Sequence, residues 1–144
     1  LQMLLVHVPL LVALVAGDAL AGEAAMGTLR LLAAKPVSRT GLVLSKFAAT
    51  FVYTVALLLF MALLALALSI AVFGTGDLMV FKSNMLLILP GADVLWRYVA
   101  AFGFATLAMT TVAALAFLLS ALAENSVGPI IGTMSVIILC TILV

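Results

Sequence analysis

"FAATFVYTVALLLFMALLALALSIAVF", residues 47–73, contains no charged residue, no proline and no glycine. At about 1.5 Å per residue a helix of this length exceeds the roughly 30 Å hydrocarbon core of a bilayer, so it can cross with tilt. Lipid offers no partners to backbone N–H and C=O groups, and a helix satisfies them within one segment. The stretch is therefore expected to be a membrane-spanning helix. The rest of the chain agrees: 68% of residues are hydrophobic and 8% charged, against about 25% charged in soluble domains. With a mean hydropathy of +1.51, there is too little polar surface to cover a soluble globule. The expected class is all-α, a polytopic transmembrane helix bundle.

Three further spans are expected around this one. On its N-terminal side, Leu1–Ala16 is apolar except at Gln2, His7 and Pro9, which places a helix at about 1–20. On its C-terminal side, 98–122 and 128–144 read as helices, the last of them cut short. The chain begins at Leu1 and ends at Val144 inside an apolar run, so it is expected to be part of a longer membrane protein. The first residues lack the charged start and cleavage-site context of a signal peptide. No internal repeat is evident. Cys140 has no second cysteine to pair with and reads as a small hydrophobe facing lipid or a neighbouring helix.

The connections set the orientation. Four of the six cations, Arg30, Lys35, Arg39 and Lys46, lie in 22–46 beside one acid, Glu23. Excess Lys and Arg mark cytoplasmic loops, so 22–46 is expected to be cytoplasmic and 74–97 external. The 74–97 connection is balanced, Lys82 and Arg97 against Asp77 and Asp93, and "DLMVFKSNMLLILPGAD" is too apolar for an ordinary exposed loop. A segment lying in the membrane interface accounts for it, with a gate or an element admitting substrate as the functional alternative. Trp96 and Tyr98 fit an aromatic belt, and Lys46 can snorkel to the headgroups. These three are the expected membrane-surface anchors.

Within the charged window, a helical advance of about 100° per residue brings Glu23, Gly27, Arg30 and Ala34 onto one narrow polar side. Ala25, Met26, Leu29, Leu32 and Ala33 form an apolar stripe opposite. An amphipathic helix over about 22–35 is expected, stopped by Pro36, with a new helix starting near Thr40 or Gly41 and spanning 41–73. Its cations can hold topology and bind anionic lipid. Alternatively, its narrow face of one acid, one base and small residues can receive another protein.

"GE…GTLRLLAAKPVSR…LVLSKF" resembles the cytoplasmic segment of the membrane subunits of type-2 ABC exporters. An acidic residue, a Gly-Thr-Leu, a Pro-x-x-Arg and a following Lys recur there, matched by Glu23, Gly27-Thr28-Leu29, Pro36 with Arg39, and Lys46. "LLSALAENSVGPIIG" resembles that family's turn between its fourth and fifth helices. The resemblance implies a permease subunit in a prokaryotic cytoplasmic membrane whose 22–35 helix is a coupling helix. Glu23, Gly27, Thr28, Leu29, Arg30, Pro36 and Arg39 would lie at or support contact with a separate cytosolic P-loop ATPase. It further implies a second permease subunit, identical or not, and ATP with Mg in the ATPase rather than here. A non-transporting membrane scaffold, whose basic loop anchors topology or recruits an assembly factor, is the reading from another class.

Other chemistry finds little support. No Gly-x-x-x-x-Gly-Lys-Ser/Thr loop is present, so any ATP is expected on a partner. His7, the one histidine, reads as a polar packing residue in a bundle, without the companions a metal needs. A net charge of +1 gives no basic face for nucleic acid. "GTGD", residues 74–77, matches a motif of intramembrane aspartyl proteases, for which Asp18 could be proposed as the second carboxylate. The topology separates Asp18 and Asp77 by the hydrocarbon thickness, about 30 Å, so "GTG" reads instead as a helix stop. Gly128 with Gly132, and Ala101 with Ala105, permit close helix packing. Ser126 can cap the last helix with Pro129 in its first turn. Thr106, Thr110 and Thr111 either line a path or bond a neighbouring helix. Neither catalytic nor metal-binding residues are expected.

Overall fold

A computed structural model describes the backbone of residues 2–28, 38–74, 78–82, 85–89 and 91–143, and side chains within 7–28, 38–72 and 93–143. Among the described residues the long elements are four helices: α1 (Gln2–Ala25), α2 (Arg39–Phe73), α3 (Gly91–Leu122) and α4 (Val127–Leu143). Between α2 and α3 run two short strands, β1 (Leu78–Lys82) and β2 (Met85–Leu89). Three helices contain stretches long and apolar enough to cross a membrane: His7–Ala25, Arg39–Val72 and Asp93–Leu122. The fourth is apolar but shorter.

The chain divides into two compact units, Leu1–Val55 with Ala108–Val144, and Ala56–Leu107. In the first, α1 and α4 are in extensive contact. Pro9, Val12, Ala13, Ala16, Gly17, Leu20 and Ala21 form the buried side of α1, at the three- and four-residue spacing of one helix face. Small residues there let backbones approach. A Cβ built on Gly17 would lie 3.0 Å from Ile130 Cγ1, and one on Gly132 would lie 3.3 Å from Leu119 Cδ1. Gly128 has nothing within 4 Å, so of the expected Gly-x-x-x-Gly only Gly132 meets a neighbour. Ala113, Ala116 and Phe117 complete the interior from α3. The Phe117 ring meets Phe47 edge-on, with centroids 5.3 Å apart.

The buried threonine hydroxyls in this unit are satisfied on their own helices. Thr50 donates to the Phe47 carbonyl, Thr54 to that of Thr50, and Thr133 to that of Pro129. Without such a bond, each would be a bare donor in an apolar interior. In the second unit, β1 and β2 pair antiparallel from Leu78 opposite Leu89 to Lys82 opposite Met85. There the Tyr98 hydroxyl donates to the Ala62 carbonyl of α2.

The element boundaries depart from the sequence reading at three places. The helix expected at 1–20 continues to Ala25, absorbing the start of the expected 22–35 helix. Gly27 has φ +71°, a left-handed conformation at which a right-handed helix stops. The second helix begins at Arg39 rather than 41. The third begins at Gly91 rather than 98, with Asp93 in its first turn, where an acid complements the helix dipole. The segment expected to lie in the interface contains a hairpin, so among the described residues the fold is a helical bundle with one two-stranded addition. Short apolar runs do not separate strand from helix by periodicity. The expected stop at "GTG" is present: Gly74 has φ +72° and its N–H bonds the Ile70 carbonyl at 2.9 Å.

Candidate functional site

Several polar side chains of the first unit lie where α1 ends and α2 begins. The last turn of α1 tightens, the Gly27 N–H bonding the Ala24 carbonyl at 3.1 Å. The Thr28 hydroxyl donates to the Glu23 carbonyl at 3.1 Å, occupying one of the acceptors a helix end leaves unpaired. At the start of α2, Ser38 is the cap: its hydroxyl oxygen accepts from the Gly41 N–H at 3.2 Å, and its carbonyl accepts from the Leu42 N–H at 3.1 Å. Arg39 is thus the first residue of α2, and it is exposed. A cation at a helix N-terminus opposes the macrodipole, so local helix stability does not explain Arg39.

An ion pair joins the two helix ends. The Lys46 ammonium bonds Glu23 Oε1, with side chains 35% and 21% exposed. Glu23 Oε2 is buried and has no hydrogen-bond partner among the described residues. The carboxylate is therefore partly desolvated and depends on Lys46 more than a surface carboxylate would. One turn earlier, Ser120 of α3 holds the same end of α1. Its hydroxyl oxygen accepts from the backbone N–H groups of Leu20 at 3.1 Å and Ala21 at 2.9 Å, and the residue is 1% exposed. The last turns of α1 are thereby fixed to α3 by a buried bond and to α2 by an ion pair.

Of the expected ATPase-contact residues, the structure brings Glu23, Gly27 and Thr28 together at the end of α1, with Arg39 at the start of α2. Leu29, Arg30 and Pro36 lie outside the described residues. Lys46, expected to reach the headgroups, has a partner within the chain. Trp96 is 74% exposed on α3. Tyr98 is half-buried, its hydroxyl on α2 and its ring against Phe102 with centroids 4.7 Å apart. It is therefore a packing residue more than a surface anchor.

Thr106 and Thr111 donate to the carbonyls of Phe102 and Ala108 on their own helix. An open groove of about 710 Å3 lies between the C-terminal half of α3 and α4, lined by Met109, Leu115, Ile137 and the exposed Cys140 among others. At the head of α4 the side-chain acceptor for the Val127 N–H is Asn125 Oδ1, at 3.3 Å, while Ser126 contributes its carbonyl to Ile130. Asp18 and His7 are exposed on α1, and Asp77 lies outside the described residues.

The sequence reading missed Ser120 and the Glu23–Lys46 pair. A serine within "AFLLSAL" offers no periodic signal, and a pair separated by 23 positions is set by tertiary packing. The accessible clue was the small-residue run "ALVAGDALAG" in α1, which allows another helix close enough for a short side chain to reach its backbone.

Helices of this length and apolarity, packed through alanine, glycine and back-bonded threonine, define a membrane-integral helical protein. Among the described residues, Glu23 lies at the end of α1 and Arg39 and Lys46 in the first turns of α2. The chain belongs to the DUF2705 family, described as a protein of unknown function, whose family model matches residues 1–144. No curated protein and no solved structure matches it.

Proposed function

We propose that this chain is the permease subunit of an ATP-driven exporter of the type-2 ABC kind. It would form part of a transmembrane pathway and couple through residues 22–39 to a separate cytosolic P-loop ATPase, which holds the ATP and Mg. The observation that carries the reading is the Glu23–Lys46 pair. Beside the Ser120 bonds, it ties the end of α1 to the start of α2, so a push on either helix end reaches both. A loop that only anchored topology would need its cations but no internal tie. Arg39, unfavourably placed for its own helix, supports an external anionic partner on this face. The motif resemblance supplies the family, and a second permease subunit completes the pathway.

The test is a mild-detergent purification of the tagged protein from its own host. A near-stoichiometric P-loop ATPase, lost on Arg30→Glu with membrane insertion intact, is the expected result. No ATPase, under conditions that preserve a known exporter, returns the chain to the scaffold reading.

A further inference from the structure

The β1–β2 hairpin is unexplained by the exporter reading. Its two strands carry one ionisable residue, Lys82, among ten positions. Among the described elements, its extensive contact is between its own strands. A two-stranded sheet keeps two open edges, whose N–H and C=O groups need partners.

Chain continuity keeps it close to the ends of two membrane-compatible helices. Leu89 lies two positions before the first residue of α3, and Leu78 five positions after the last residue of α2. At no more than about 3.6 Å per residue, the hairpin starts within about 18 Å of one helix end and finishes within about 7 Å of the other. The membrane-compatible stretches end at Val72 and resume at Asp93. The first turns of α3 expose Asp93, Trp96 and Arg97, the residue types that sit at headgroup level.

Hydrocarbon and bulk water both fit the hairpin badly. Open sheet edges do not occur facing hydrocarbon. In bulk water, nearly continuous apolar strands would be left uncovered. The headgroup–acyl boundary offers apolar contact together with water and polar headgroups for the edges. We propose that β1–β2 is a lipid-binding element lying in this boundary, on the side of the membrane where α2 ends and α3 begins. The proposal rests on the membrane class of the chain and stands apart from the exporter reading.

The single tryptophan makes the test direct. In the full chain, Trp96→Phe removes it, and Phe81→Trp or, in a separate protein, Ile88→Trp places a reporter on β1 or β2. Each protein is reconstituted in phosphatidylcholine vesicles brominated either near the headgroup end of the acyl chain or near the bilayer midplane. Blue-shifted emission is expected, quenched more by shallow bromine than by deep bromine and little by aqueous iodide. Red-shifted, iodide-quenched emission would place the hairpin in water, and strongest quenching by deep bromine would place it in the core. Blue emission insensitive to every quencher would mean that protein, such as a second copy, covers it. Each of these three outcomes overturns the proposal. The reporters are on different strands, so misfolding of one variant leaves the other to decide.

Discussion

α1 and α2 are both apolar enough to cross a membrane, yet 44% of the α1 stretch is buried within the chain and 6% of the α2 stretch. Hydropathy does not explain the difference, since the α2 stretch is the more apolar. Side-chain size does. The buried side of α1 is built largely of alanine and glycine, and another backbone can lie against it. The surface of α2 displays Phe51, Leu59, Phe60, Leu63 and Leu68. In lipid, apolar surface has no drive to leave its surroundings, so helices associate where small residues and hydroxyls permit close contact. Of the three buried residues of α2, Thr50 and Thr54 are again short with their hydroxyls returned to the helix, and the third is Leu58.

The contrast can be broken most sharply by bulk. Ala13→Leu on α1, where the residue is 0% exposed, should destabilise the protein by about 1–3 kcal/mol through overpacking. Ala67→Leu on the exposed side of α2 should change stability by less than about 0.5 kcal/mol. Unfolding titrations in mixed micelles measure both, and equal effects would remove the distinction. Next comes the buried bond. Ser120→Ala should cost about 1–2 kcal/mol, because two amides lose an acceptor in an apolar interior. Hydrogen exchange at Leu20 and Ala21 should quicken, while Ser69→Ala on the exposed side of α2 should leave both stability and exchange unchanged.

The end of α1 gives smaller effects. Gly27→Ala should cost about 1 kcal/mol, since an L-residue is strained at φ +71°, even though nothing lies within 4 Å of its Cβ position. Its mirror test is Gly103→Ala. That residue lies within α3 with equally open space around it, and the substitution should stabilise by about 0.5–1 kcal/mol. The same unfolding assay distinguishes the signs. Smallest is the ion pair, whose coupling in a double-mutant cycle of Glu23→Gln and Lys46→Met should be no more than about 1 kcal/mol, given its partial exposure. Lys46→Met should be the more damaging single change, because it strands a carboxylate whose Oε2 is buried.

The spans of α2 and α4, and the stop at Gly74, were legible because they follow from local rules: uninterrupted apolar length, and glycine where left-handed backbone ends a helix. The end of α1 was misjudged because Glu23 and Gly27 share a helical side on paper, and nothing local says that Gly27 breaks the helix. The hairpin was missed because "LMVFK" and "MLLIL" are too short for periodicity to choose between strand and helix. Ser120 and Asn125 were missed for different reasons. Ser120 acts across a hundred positions, which no window can see, whereas Asn125 lost to a neighbouring serine of equal capping preference.

The most direct test of the coupling reading is to exchange the charges of the pair. In Glu23→Lys, Lys46→Glu and the double variant, the amount of P-loop ATPase retained per membrane subunit after mild-detergent purification is the quantity to measure. The account predicts that each single reversal loses the ATPase, because like charges force the helix ends apart, and that the double exchange restores much of it. Full retention in the single variants, or a double variant no better than either single, would contradict the claim that this tie shapes the docking segment.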